Sequence, residues 1–122
     1  MSNKAAAIEF LKMAAAGDVV DAFSRHVAQE FKHHNPHFAD DRQSLLDAMS
    51  QSAAAEPDKS LEIIQAIEEA DTVAVHSRLT RVGAGARYAV VHILKFSGGK
   101  IVEMWDIIQE VPADPSNATG MF

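Results

Sequence analysis

The sequence predicts one small α+β domain, with helices at the start of the chain packed on one face of a largely antiparallel sheet. Apolar residues recur with a helical period in the first half of the chain and with a period of two in the second half. The chain has 122 residues, of which 48% are apolar, and this suffices for one domain with its own core. Short turns between consecutive strands require antiparallel hairpins, and helices that precede all of them indicate an α+β arrangement.

Two helices are predicted before the first extended segment. The first has four apolar residues at the i, i+3, i+4 and i+7 positions of one face: Ala7, Phe10, Leu11 and Ala14. Gly17 ends this helix, and Asp18 is a suitable N-cap for a second, short helix. The apolar face of that second helix consists of Val20, Phe23 and Val27. Phe31–Asn35 is expected to be extended, because Pro36 disfavours a helical conformation at the residue before it.

A third helix and four strands complete the predicted domain. Asp40 or Asp41 caps the helix, Pro57 ends it, and its apolar face consists of Leu45, Leu46, Met49 and Ala53. The strand candidates are rich in Val and Ile: Leu61–Ile67, Thr72–Thr80, Tyr88–Phe96 and Lys100–Glu110. The predicted order is α-α-β-α-β-β-β-β, with a domain over residues 1–111 and a loose, aperiodic tail over residues 112–122.

Charge and composition argue against several classes of protein. The formal net charge is -6 and there is no basic run, so we expect no nucleic-acid partner and no anionic membrane surface. The absence of cysteine excludes disulfides, thiolate nucleophiles and thiolate metal ligands. No stretch reaches the ~20 apolar residues of a membrane span, and the start of the chain does not resemble a signal peptide. We therefore expect a soluble, cytoplasmic protein.

The last hairpin determines which polar side chains meet. A three-residue loop over Ser97–Gly99 pairs Phe96 with Lys100 and places His92 and Asp106 on one face as diagonal neighbours. A two-residue loop would separate them, because a one-residue slip reverses every side chain; the three-residue loop is the favoured prediction. The rest of the shared face is apolar: Val90, Leu94, Phe96, Val102, Met104 and Ile108. A carboxylate and an imidazole on an apolar face indicate a ligand pocket.

The opposite face of these two strands is also substantially apolar. On the last strand it carries Ile101, Glu103, Trp105, Ile107 and Gln109. An antiparallel sheet covered by helices on one side should be polar on the other, so this face predicts a homodimer interface. The alternative is that the C-terminal tail or the curl of the sheet covers it.

Asp106 is the leading candidate for acid/base chemistry. It lies within the apolar run Met104–Ile108, where a carboxylate must be hydrogen-bonded, paired or protonated. Desolvation strengthens a carboxylate as a base, which suits it to general acid/base catalysis. His92 could be oriented by Asp106 or shuttle its proton. The alternative is that Asp106 is structural, bound to backbone donors or to an arginine.

Histidines elsewhere in the chain give a second set of candidates. His76 and Arg78 share one face of their strand; they supply an imidazole and a cation if that face lines the pocket, and are surface or interface groups otherwise. His34 or Asn35 is expected to project a polar group into the pocket mouth. A metal site built from His34, His76, His92 and Asp106 is conceivable, but the histidine spacing matches no strong motif and we expect no metal.

Three segments of the chain have a distinctive pattern: Gly98–Gln109 with Val111 and Pro112 after it, His33–Pro36, and Val73–His76. They resemble the SnoaL-like, or polyketide cyclase-like, family of the NTF2-like superfamily. The resemblance implies a cone-shaped fold with a deep pocket and usually a dimer. In related polyketide cyclases an aspartate on the last strand is the base and a histidine on the neighbouring strand assists, and these roles would fall on Asp106 and His92. Met104 departs from the family, since many relatives have histidine there.

The leading functional hypothesis is a cofactor-independent enzyme of the cyclase, isomerase or lyase type that acts on a carbonyl compound. Asp106 would remove a proton from the carbon next to the carbonyl, and His92 would help to stabilise the enolate oxygen. The substrate-binding residues are predicted to be His34, Asn35, His76, Arg78, Met104 and Val90. One alternative is a non-catalytic ligand-binding or accessory domain with the same pocket. Another is a dimerisation module whose pocket is filled by side chains.

Overall fold

The computed structural model describes residues 1–122 and contains three α-helices and one five-stranded sheet. The helices are α1 (Asn3–Ala15), α2 (Val19–His26) and α3 (Arg42–Ala55). The strands are β1 (Val27–His33), β2 (Ser60–Glu69), β3 (Thr72–Arg81), β4 (Ala86–Ser97) and β5 (Lys100–Glu110). A short 3₁₀ turn over Val82–Ala84 joins β3 to β4. The predicted order of elements and the α+β class are confirmed.

Local chemistry at the helix ends explains where the helices begin and stop. Ser2 caps α1, and Asp41 caps α3 by accepting a 2.9 Å hydrogen bond from the backbone N–H of Ser44. Gly17 adopts a φ of 94°, a left-handed conformation that glycine adopts without steric cost. Asp18 occupies the N-cap position of α2, although its side chain makes no capping hydrogen bond.

The first strand begins earlier than the sequence predicts. Val27 fits the helical period of α2, yet its backbone is extended, and it pairs with Ile101 of β5. Long-range pairing with β5 therefore overrides the local period, and the expectation of an extended segment confined to Phe31–Asn35 is wrong at its start. β1 is parallel to β5, and the order β1-β5-β4-β3-β2 is antiparallel at every other step.

The helices cover one face of the sheet, which we call the inner face. The core lies between the helices and this face. Phe10 of α1, Phe23 of α2 and Phe31 of β1 are fully buried there. Their rings meet edge to face, with centroids 5.6 Å apart for Phe10 and Phe23 and 6.2 Å apart for Phe23 and Phe31. Leu94 and Ile101 complete this core from the sheet. None of the helices combines the length and apolar character needed to cross a membrane.

The last hairpin differs from the prediction in its turn. Only Gly98 and Gly99 lie in the loop, with φ of 57° and 80°, and Ser97 pairs with Lys100. Two consecutive left-handed residues favour a two-residue loop, because this backbone twist matches that of the flanking strands. The predicted three-residue loop is therefore wrong.

A β-bulge three residues later compensates for the shorter loop. Lys95 pairs with Glu103 and Phe96 with Ile101, so Val102 is an extra residue without a partner. The bulge shifts the parity of β5, and His92 consequently lies directly opposite Asp106 rather than diagonal to it. The two-residue loop itself pairs Ile101 with the inward-facing Phe96 and so turns Ile101 into the core, where the sequence pattern favoured Val102.

The C-terminal tail contains turns and bends but no helix or strand. Its last residue, Phe122, lies on the outer face of the sheet, the face without helices. The Arg78 guanidinium carbon is 4.3 Å from the centre of the Phe122 ring, and the His76 ring stacks on it with centroids 6.0 Å apart. The tail thus contacts part of the face that we expected to be an interface.

Candidate functional site

A cavity of about 260 Å³ lies between α1, α3 and the inner face of the sheet. Its walls are mainly apolar, since 12 of its 17 lining residues are hydrophobic. Val90 and Met104, predicted from the sequence to line a pocket, do line it, and Leu11 and Met49 close it from the helices. The cavity is slightly smaller than the roughly 300–1,000 Å³ of ordinary ligand pockets, so it suits a small organic molecule.

Asp106 points into this cavity from β5 and has one hydrogen-bond partner. The side-chain amide of Asn35 donates a 3.0 Å hydrogen bond to its Oδ2 atom. Asn35 is itself held by a second bond, since its Oδ1 atom accepts a 2.9 Å hydrogen bond from the backbone N–H of His37. This second bond fixes which end of the amide faces the carboxylate. Of the two candidates for the pocket mouth, Asn35 is therefore the one that reaches the cavity.

His33 positions Asn35, a role that the sequence analysis did not assign. The His33 side chain is buried, its Nε2 atom donates to the Ala39 carbonyl at 2.6 Å, and its Nδ1 atom accepts from the Asn35 backbone N–H at 3.1 Å. These two bonds are mutually consistent only with a proton on Nε2. The signal in the sequence was the alternation along β1, which puts Phe31 and His33 on the inner face.

His92 faces the cavity from β4, directly opposite Asp106. Its Nδ1 atom is completely buried and has no hydrogen-bond partner in the protein. Burial lowers the pKa of His92 to about 4, against the opposing influence of the Asp106 carboxylate. The imidazole is therefore neutral near pH 7, and in that state it carries one N–H donor and one acceptor nitrogen.

A second polar group lines the cavity and was missed by the sequence analysis. Lys59, just before β2, donates a 2.6 Å hydrogen bond from its Nζ atom to the Ser52 hydroxyl on α3, and both residues line the cavity. Burial lowers the pKa of Lys59, with the Glu56 carboxylate opposing the shift. No motif marks this pair, because the two residues come from different elements and meet only through the packing of α3.

The structure places His34 outside the cavity. Strand alternation turns it to the outer face, where its ring stacks on Trp105 with centroids 4.6 Å apart. Its Nε2 atom lies 2.7 Å from the Glu103 carboxylate, so the side chain already has a charged partner. The prediction that His34 binds substrate needs correction, because its neighbour Asn35 takes the inward position.

The outer face also holds His76 and Arg78. On β3 the inward positions are Val73, Val75 and Ser77, which are fully buried. His76 and Arg78 alternate with them and therefore point outward. His76 lies 3.3 Å from the Gln65 side chain, and Arg78 donates a 3.0 Å hydrogen bond to Glu62. Of the alternatives left open by the sequence, the structure thus supports surface or interface groups rather than pocket groups.

The four residues considered for a metal site are split between the two faces. His92 and Asp106 lie in the cavity, while His34 and His76 are on the outer face. No three histidine or acidic side chains come close enough together to hold a metal ion.

Comparison with known proteins identifies the family of the chain. The model of the SnoaL-like domain family matches residues 7–104. The chain belongs to the SnoaL-like family. The resemblance predicted from the three sequence segments is confirmed, and so is the NTF2-like cone. A comparison with curated protein sequences found no match.

Solved structures with the same fold extend over most of the chain. An NTF2-like protein from Burkholderia xenovorans has a TM-score of 0.76 at 18% identity, covering 93% of this chain and 88% of its own. IdmH from Streptomyces antibioticus, a candidate polyketide cyclase, has a TM-score of 0.72 at 17% identity, covering 89% and 93%. AclR from Streptomyces galilaeus, a candidate hydroxylase, has a TM-score of 0.69 at 26% identity, covering 88% and 78%. The TM-scores establish a shared fold. Because the sequence identities are low, the chemistry must be argued from the cavity itself.

Proposed function

We propose that this SnoaL-like protein is a cofactor-independent enzyme that performs acid/base chemistry on a small carbonyl compound. The observation that carries the proposal is the pairing of Asp106 and His92 across the β4–β5 ladder, inside an apolar cavity. A carboxylate and a neutral imidazole in such surroundings are the groups that proton abstraction next to a carbonyl requires.

In the proposed mechanism Asp106 is the base. Its Oδ2 atom is engaged by Asn35, which leaves Oδ1 free to take a proton from the carbon next to the carbonyl. The electron pair of the broken C–H bond moves to the carbonyl oxygen, and the N–H of neutral His92 hydrogen-bonds to the resulting enolate. Protonated Asp106 then returns the proton to a different carbon, to a leaving group or to the oxygen formed when the enolate attacks a second carbonyl. These outcomes correspond to an isomerase, a lyase and a cyclase.

The surroundings of Asp106 favour a catalytic role over a structural one. A structural aspartate would be bound by an arginine or by several backbone N–H groups, and Asp106 has neither. Arg78, the arginine that the sequence predicted as a possible pocket residue, lies on the outer face and pairs with Glu62. The alternative of a non-catalytic ligand-binding domain would use the same cavity, so a measurement of turnover must separate the two.

Exchange of carbon-bound hydrogen for deuterium tests the proposed reaction on simple ketones, whatever the natural substrate is. Proton NMR in D₂O would follow the loss of signal from the hydrogens on the carbon next to the carbonyl, in a panel of ketones that includes 1-tetralone. We expect wild-type protein to accelerate exchange of at least one ketone, and Asp106→Asn to reduce that acceleration by about 10²–10⁴-fold. Glu103→Gln is the matched control, because it makes the same chemical change on the outer face of the same strand. Equal exchange by wild type and Asp106→Asn, or no acceleration of any ketone, would contradict the proposal.

We further propose that the outer face forms a homodimer. Across four strands one row of that face reads Ile67, Ala74, Ile93 and Trp105, and the next reads Gln65, His76, Val91 and Ile107. Ile67 and Ile107 remain 63% and 59% exposed, which supports a covering partner. Trp105→Lys and Ile93→Asp should each halve the native mass in light scattering. An unchanged mass for both variants, or a monomeric wild type, would rule out this interface.

A further inference from the structure

Lys59 forms a cationic end of the cavity that the proposed acid/base reaction does not use. It is partly buried beside Leu61 and Leu79, and its ammonium group bonds to Ser52 at 2.6 Å. An ammonium group in apolar surroundings is costly unless a negative or polar partner compensates it. The chain supplies only one hydrogen-bond partner, a neutral hydroxyl.

The carboxylate that acts electrostatically on Lys59, that of Glu56, is already bound by an arginine. Glu56 is held in a two-pronged interaction by Arg81, whose Nε atom donates at 2.8 Å and whose Nη2 atom makes a second, short bond. No carboxylate lies within 4.0 Å of the Lys59 ammonium, although six other basic side chains have such a partner. The ammonium thus lines a ligand-sized cavity without an ion-pair partner at contact distance, and the more distant Glu56 carboxylate is shared with Arg81.

Ser52 adds a second donor at the same end. Its Oγ atom accepts the bond from Lys59, and its own O–H has no acceptor in the protein. The ammonium group retains two further N–H donors. Donors without acceptors, beside a positive charge, match the oxygens of a carboxylate or a similar small anion.

The cationic end and the acid/base pair are well separated along the sheet. Lys59 precedes Ser60, which lies opposite Thr80, and Thr80 lies opposite Arg87. His92 is five residues further along β4, which corresponds to about 17 Å of strand at the backbone level. The lysine side chain reaches back toward the cavity and shortens the gap between the reactive groups. A ligand that contacts both ends must therefore be elongated.

We propose that Lys59 and Ser52 form an anion-binding subsite, so that the cavity takes an elongated organic acid with its carboxylate at this end. The carbonyl at the other end rests on the proposed function, whereas the anion-binding subsite does not. The overall charge of -6 disfavours anions at long range, but the ammonium acts at contact distance inside an apolar wall, where charge interactions are strongest.

Isothermal titration calorimetry with octanoate and octanamide tests the subsite. The two probes have the same chain length and differ mainly in the charge of the head group. We expect wild-type protein to bind octanoate at least about tenfold more tightly than octanamide, as for a charged hydrogen bond. Lys59→Met and Lys59→Gln should both abolish this preference and leave octanamide binding within about twofold of wild type. Lys95→Met, which removes the same charge from an exposed outer-face position, should keep the preference.

The test separates this inference from the proposed reaction. Asp106→Asn should lose ketone exchange yet keep the preference for octanoate, because the substitution lies at the other end of the cavity. Equal binding of the two probes by wild type, no binding of octanoate, or an unchanged preference in both Lys59 variants would each overturn the subsite. Loss of ketone exchange with the octanoate preference intact, in contrast, would leave the subsite standing.

Discussion

The two faces of the sheet carry similar polar residues in different circumstances. On the outer face, His34 has Glu103 and Trp105 as partners, and Arg78 has Glu62 and the Phe122 ring. On the inner face, the Nδ1 atom of His92 has no hydrogen bond, and the Lys59 ammonium has no carboxylate within 4.0 Å. Exposed ion pairs contribute only about 0–1 kcal/mol each, so the outer contacts add little stability individually.

This contrast separates residues that complete the structure from residues available to a ligand. The polar groups on the outer face have hydrogen-bond or ion-pair partners within the chain. The polar groups in the cavity are removed from water and keep donors or acceptors without a partner. Unsatisfied groups in an apolar cavity are maintained at a cost in stability. Such a cost is expected where a bound molecule supplies the missing partners.

The largest effect on stability is expected from His92. Its pKa is about 4 in the fold, compared with 6.5 for the free side chain, so the unfolded chain binds a proton first as the pH falls. The fold therefore loses about 3 kcal/mol between pH 6.5 and pH 4 from this residue, and regains it as the pH rises. His92→Gln should remove that part of the pH dependence of the unfolding free energy, measured by urea denaturation.

The difference between wild type and His92→Gln removes the contributions of the other acid-sensitive groups. Three carboxylates also have lowered pKa values because they accept hydrogen bonds: Glu9 from Arg25, Asp41 from Ser44, and Glu56 from Arg81. The fold therefore loses their stabilising contribution as well when the pH falls. They are present in wild type and variant alike. Parallel curves for the two proteins between pH 6.5 and pH 4 would show that His92 is not desolvated.

An intermediate effect is expected from Asn35, which links β1 to the cavity. Asn35→Ala removes the bond to Asp106 and the bond from the His37 backbone, so the unfolding free energy should fall by about 1–2 kcal/mol. Ketone exchange should fall as well, because Asp106 loses the contact that orients it. Asn35→Asp is the sharper variant, since it keeps the bond from His37 but places a second carboxylate against Asp106. Full exchange activity in both variants would exclude a positioning role.

The sequence predicts the topology well because each element carries its own local signal. The helical period of α1, the Asp41 cap and the Val-rich strands are all short-range features. It also brings His92 and Asp106 to one face, although for an incorrect reason. The loop is one residue shorter than predicted, and the bulge at Val102 restores the parity, so two deviations cancel. A bulge within a run of apolar residues cannot be predicted from the sequence, because it does not change the alternation of polar and apolar residues.

Residues from separate elements could not be brought together in the same way. Whether His34 or Asn35 faces the cavity depends on the register of β1 against β5, a parallel pairing between distant segments. The meeting of Lys59 and Ser52 depends on how α3 lies over the sheet. Periodicity assigns a residue to a face of its own element, but it does not determine which elements surround a cavity.

The smallest effect on stability is expected from a matched pair of substitutions, Asp106→Asn on the inner face and Glu103→Gln on the outer face. An amide oxygen at position 106 can still accept the bond from Asn35, and a carboxylate is removed from an apolar cavity, so the variant should be at least as stable as wild type. Glu103→Gln weakens an exposed contact with His34 and should cost about 0–1 kcal/mol. Urea denaturation at pH 7 measures both. A loss above about 2 kcal/mol for Asp106→Asn would identify the carboxylate as a structural acceptor, and the contrast between the faces would then fail at its central residue. Small changes in both, together with loss of ketone exchange in Asp106→Asn alone, would assign Asp106 to function rather than to the fold.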